Sequence, residues 1–120
     1  MKWNSKWTAV VVAGGIVVLV ALFRLGSDSP KLRAEILSNH QIVKVKNLND
    51  FDWSDTVVTL NGDYSQRVGW IGAGDTGTFP LERFTTSDGA RFNGFSTKVK
   101  KVFVDAHTPK GDGTYYAESD

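Results

Sequence analysis

Hydrophobic and polar positions divide the chain into two unlike parts. From Thr8 to Phe23 the run TAVVVAGGIVVLVALF carries no charged residue, whereas after Pro30 apolar and polar residues alternate between short clusters of turn residues. The uncharged run predicts a membrane helix. With Trp7 and Leu25 it is nineteen residues long, about 28 Å at about 1.5 Å per residue, close to the roughly 30 Å of a hydrocarbon core. The alternating part predicts strands over 33–38, 41–48, 56–60, 66–71, 76–81 and 98–106, because period two is the spacing of one face of a sheet. Six or seven short strands at this spacing fit a β-sandwich.

Within these strands the pattern assigns faces. Val43 and Val45 point inward with Lys44 and Lys46 outward, and Val102, Val104 and Ala106 share the buried face of the last strand. The intervening segments are rich in residues that tolerate positive φ or cap turns, such as Asn61-Gly62-Asp63 and Gly72-Ala73-Gly74-Asp75. Residues 83–95 lack alternation and read as a long loop held down by Phe84, Phe92 and Phe95. Trp53, just before an alternating strand, reads as a buried ring. The resulting division is an amino-terminal segment and anchor over 1–25, a linker over 26–32, a sandwich over 33–107 and a flexible tail over 108–120.

The residues flanking the apolar run fit an anchor. Trp3 and Trp7 lie on one side of a helix, where their rings sit at headgroup level, while Lys2, Lys6 and Arg24 reach water. A cleaved secretory signal shares the basic start, but it ends in small residues, and here Arg24 closes the run and Pro30 follows the best small-residue candidate. The basic side chains before the run favour an amino terminus in the cytoplasm and a larger domain outside it. The run holds no ionisable residue, which excludes proton or ion transport and imidazole ligation of a pigment by this helix. Ala9, Ala13, Gly14 and Ala21 form a smaller side on which another helix packs, or else the helix is a plain lipid-facing anchor.

Charge and cysteine narrow the chemistry. From Ser27 onward 11 Lys and Arg face 13 Asp and Glu, so no strong field for nucleic acid exists. The lysine groups Lys44/Lys46 and Lys98/Lys100/Lys101 read as the wet faces of strands. The chain has no cysteine, hence no disulfide framework and no thiol chemistry.

Motifs with chemical overtones fail on context. Gly72, Gly74 and Gly77 spell the dinucleotide fingerprint, but Thr78-Phe79-Pro80 follows where a helix must open. Asp75-Thr76-Gly77 matches the triplet of aspartic proteases, yet the preceding Gly72-Ala73-Gly74 is no apolar strand, and a hairpin turn with Asp75 exposed accounts for it. Asp50, Asp52, Ser54 and Asp55 begin like a calcium loop that lacks its glycine and its closing glutamate. His40 and His107 have no zinc-ligand spacing around them. No catalytic, cofactor or metal residue is therefore assigned.

The run IVKVKNLNDFDWSDTVVTLNGDY, followed by IGAGDTGTFPLERF and DGARFNGF, resembles a small Ig-like domain of bacterial membrane-anchored proteins and is similar in layout to FxLYD-type domains. Asn47, Trp53, Tyr64, Gly74 and Phe84 carry the likeness, while the leucine-tyrosine-aspartate signature is absent. The resemblance implies an Ig-like sandwich, a bacterial cytoplasmic-membrane location and no catalysis. Together the two readings predict a single-pass, non-catalytic accessory or scaffolding subunit whose partners are the bilayer and other membrane subunits. The alternative is an extracytoplasmic binding domain for a peptide or glycan, with Trp70, Tyr115 and Tyr116 as contacts.

Overall fold

A computed structural model describes residues 30–119 together with the backbone of Ala9–Val11 and Gly14–Gly15. The last two pieces, β1 (Ala9–Val11) and β2 (Gly14–Gly15), pair antiparallel with Ala9 opposite Gly15 and Val11 opposite Gly14. They are thus extended where a helix is expected, and the rest of the expected helix lies outside the described residues, as do Lys2, Trp3, Lys6, Trp7, Ala13, Ala21 and Arg24. Among the described residues no helix is long and apolar enough to cross a membrane.

Two antiparallel sheets follow. β3 (Ala34–Ser38), β4 (Ile42–Asn47) and β7 (Thr76–Pro80) form a three-stranded sheet in the order β3-β4-β7. β5 (Trp53–Leu60), β6 (Tyr64–Ile71), β8 (Lys101–Thr108) and β9 (Gly111–Glu118) form a four-stranded sheet in the order β6-β5-β8-β9. The chain therefore crosses between sheets at 47–53, at 71–76 and after β7. Val43 and Val45 of β4 meet Val58, Leu60 and Val104 of the larger sheet in the core, all fully buried with Trp53 and Phe84. Inward valines and outward Lys44 follow from the period of the pleat.

The strands expected over 56–60 and 66–71 are longer, β5 because a bulge breaks its alternation and β6 because Tyr64 and Ser65 pair with Leu60 and Thr59. The β5–β6 register shifts between Trp53 and Val57, with Asp55 at φ 48° and Gly69 at φ 80°. The extra residue lets Trp53 and Thr56 both face inward, so strict alternation is broken while the strand continues. Asn61 and Gly62, at φ 54° and 83°, turn the chain from β5 into β6, the left-handed pair that hairpins favour.

Two expectations are corrected at the ends of the domain. The sandwich begins before residue 33, because Leu32 is buried and the Lys31 carbonyl accepts a bond from Asn49 Nδ2 at 3.1 Å. It also extends past residue 107, because the segment expected as a flexible tail supplies β9, an edge strand in unbroken register with β8. Its inward positions are Gly111, Gly113, Tyr115 and Ala117. A Cβ on Gly113 would lie 2.7 Å from the Pro30 carbonyl oxygen and 3.0 Å from Leu32. Small residues are needed there because the entering chain passes over the strand.

In the 83–95 segment Phe84 and Phe92 are buried, joined by a bond from Phe92 N to the Phe84 carbonyl at 2.9 Å. Phe95 is not an anchor: it is exposed and leans on His40, with ring centroids 4.7 Å apart.

Candidate functional site

The outer face of the four-stranded sheet brings aromatic, charged and hydroxyl side chains together across its strands. Cross-strand register places Ser65, Thr59, Phe103 and Tyr116 in one row and Arg67, Val57, Asp105 and Thr114 in the next. The Phe103 and Tyr116 rings meet with centroids 4.5 Å apart, and the Tyr116 hydroxyl donates to Glu118 Oε1 at 2.8 Å. Partial burial, then this bond and the Glu118 charge, raise the Tyr116 phenol well above its ordinary pKa. Thr114 Oγ1 donates to Asp105 Oδ1 at 2.7 Å, and His107 Nδ1 lies 2.8 Å from Asp112 Oδ1. Asp55, Arg67, Asp105, His107, Asp112 and Thr114 line a shallow groove of about 640 Å³ beside the aromatic pair. The surface is therefore an aromatic strip over small side chains, bordered by mixed charge. Its chemistry suits docking against a complementary surface, since Tyr and Arg with a flat aromatic neighbour are frequent anchors at interfaces.

The sequence-assigned contacts are dispersed. Trp70 is exposed on β6 and Tyr116 faces outward on β9, which are opposite edges of the sheet. Tyr115 is corrected: it points inward, packs against the core, and its phenol pKa is raised by burial. Phe103, Arg67 and Asp105 were not singled out, although alternation in KVFVDAH places Phe103, Asp105 and His107 opposite the buried Val102, Val104 and Ala106.

The remaining motifs have structural settings. Gly72 to Asp75 form a turn, with Asp75 N bonded to the Gly72 carbonyl at 2.9 Å, but the turn joins β6 to β7 across the sheets and is not a hairpin. Asp75 is exposed, and its carboxylate packs where a Gly72 Cβ would stand, 2.6 Å from Oδ2. Asp52 Oδ1 accepts from Ala73 N at 2.8 Å. Among the described residues no group of His, Cys, Asp or Glu is arranged to hold a metal ion.

Asn47 ties both crossovers together. Its Nδ2 donates to the Phe51 and Ile71 carbonyls, each at 3.0 Å, and its Oδ1 accepts from Asn49 N at 2.8 Å. Its backbone bonds Asp75 and Gly74, each at 2.9 Å. This buried network fixes how the two sheets face each other. Comparison with family models, with curated proteins and with solved structures finds no match to this chain.

Proposed function

We propose that the protein is a non-catalytic, membrane-anchored contact module: an Ig-like sandwich that binds a membrane-complex partner through the outer face of its four-stranded sheet. The observation that carries the reading is the Phe103–Tyr116 pair, aromatic and outward-facing across two adjacent strands, with Arg67 and the Asp105–Thr114 pair beside it. A strand order of β3-β4-β7 against β6-β5-β8-β9 supports the Ig-like assignment, since it groups the third, sixth and seventh sandwich strands in one sheet as Ig-like domains do. The resemblance to bacterial membrane-anchored domains supports a cytoplasmic-membrane location with the sandwich outside the cytoplasm.

The anchor rests on the sequence. An uncharged run with tryptophans and lysines at one end and Arg24 at the other has the make-up of a single span. In hydrocarbon a five-residue antiparallel pairing leaves backbone groups unbonded, each at several kcal/mol, so insertion demands the helix. Circular dichroism of the full chain in lipid vesicles therefore gains helical signal over the same chain in water. Protease added outside spheroplasts digests the sandwich. Extraction from membranes by alkaline carbonate, or full protection of the sandwich, overturns the anchor or its orientation respectively. The alternative, a glycan or peptide receptor, is favoured instead if Trp70→Ala abolishes binding while Phe103→Ala and Tyr116→Ala leave it unchanged, because Trp70 stands on the edge strand β6, away from the aromatic pair on β8 and β9.

A further inference from the structure

We infer a second binding site, for a phosphate-bearing anion in solution, in the groove formed by Asn61, Ser96, Thr97, Lys98, Lys100 and Lys101 at the end of the sandwich remote from where the chain enters. The sequence pattern assigns these lysines to the wet face of a strand. The structure does otherwise: Lys98 and Lys100 lie in the loop before β8, which starts only at Lys101.

A single side chain gathers them. Asn61 Oδ1 accepts from Lys100 N at 2.8 Å and Lys101 N at 3.0 Å, its Nδ2 donates to the Lys98 carbonyl at 2.9 Å, and its backbone N–H donates to the Lys101 carbonyl at 2.8 Å. Asn61 does this from a left-handed backbone, φ 54°. Three exposed ammonium-bearing residues are thus held around one point, where like charges repel. Among the described residues none of the three forms an ion pair. Glu118 stands opposite Lys101 in register but accepts from the Tyr116 hydroxyl.

No carboxylate and no aromatic ring lines the groove, whose volume is about 520 Å³. Its other contributors are the Ser96 and Thr97 hydroxyls and Asn61. Ammonium and hydroxyl donors without apolar pockets suit a compact oxyanion with acceptors on all sides, and Lys serves phosphate as a point charge. A peptide carboxylate would use a bidentate guanidinium or an apolar subsite, and the groove offers neither. β5 runs from Trp53, at the entry end, to Leu60, at this end, roughly 25 Å at about 3.3 Å per residue. That exceeds a Debye length of about 8 Å. The proposed anchor, on which this assignment rests, puts the bilayer at the entry end; its headgroups are then out of reach, and the ligand is a soluble phosphate.

The test uses the full chain in neutral detergent micelles, titrated with inorganic tripolyphosphate and followed by calorimetry and by amide shifts. Wild type binds, with the largest shifts at residues 96–101. The Lys98→Gln/Lys100→Gln/Lys101→Gln variant, melting as wild type does, binds at least about tenfold more weakly because the attraction is the sum of three charges. Lys44→Gln/Lys46→Gln, on β4, binds as wild type. Asn61→Ala, which keeps every charge but frees the loop, weakens binding while broadening the loop resonances. Absence of binding, equal loss in the β4 variant, or equally tight binding of polyglutamate overturns the proposal. So does binding to phosphatidylglycerol vesicles without binding to tripolyphosphate. The shift map keeps the result decisive if a variant fails to fold.

Discussion

The indole Nε1 of Trp53 donates to Asn49 Oδ1 at 3.0 Å in the buried interior. The same oxygen accepts from Arg33 N at 3.1 Å, and Asn49 Nδ2 donates to the Lys31 carbonyl. One amide thus joins the largest core ring to the strand that enters the sandwich. Trp53→Ala is expected to cost about 3–5 kcal/mol, a large part of what so small a domain has. Asn49→Ala leaves the indole N–H without a partner and costs about 1–3 kcal/mol. Urea unfolding of the two variants checks both figures, and a wild-type midpoint for Asn49→Ala would show that the network does not hold the entry strand.

Gly113 tests whether β9 belongs to the folded body. Its missing Cβ makes room for the Pro30 carbonyl oxygen, a backbone atom that cannot swing away. Gly113→Ala is expected to destabilise by about 1–3 kcal/mol through overpacking. Gly74→Ala, whose Cβ has open space but whose φ is 78°, loses stability by backbone strain alone. If Gly113→Ala melts as wild type, β9 and the entering chain are not packed together.

How far the sequence reveals this fold depends on whether side chains or voids do the packing. β4 was legible because Val43 and Val45 fill the core and Lys44 does not. β9 was hidden because two of its inward positions are glycines, so no apolar alternation advertises it. The β5 bulge hid three further strand residues by placing Ser54 and Asp55 between two inward side chains. Phe95 misled because an exposed phenylalanine has the same letter as a buried one. At the candidate face the residue type alone marks Tyr116, whereas its pairing with Phe103 depends on the β8–β9 register, which a single strand cannot express. The Lys98–Lys101 cluster is not legible in the local pattern because Asn61, thirty-seven residues before Lys98 in the chain, decides its shape.

Alkaline pH probes the burial of the Tyr116 phenol together with its bond to Glu118. The folded state holds the Tyr116 proton more tightly than the unfolded chain, whose phenol titrates at its ordinary value of 10.0. Stability from this group is therefore complete below about pH 10 and is lost as pH rises toward the folded pKa. Tyr115, raised by burial, acts in the same sense. Denaturation measured between about pH 8 and 12 should show stability falling above pH 10, with a shallower fall in Tyr116→Phe. An unchanged slope in that variant would mean that burial and the Glu118 bond do not raise the Tyr116 phenol in the folded state.

The role of the four-stranded sheet's outer face is tested most directly by photocrosslinking from single positions in membranes. A photoreactive phenylalanine analogue replaces Phe103 or Thr59 on that face, or Lys44 and Leu37 on the outer side of the other sheet. Contact through this face gives one shared adduct of the same mass from positions 103 and 59, none from 44 or 37, and its loss when Arg67→Glu is added. An adduct from 44 and 37 with none from 103 and 59 would contradict it.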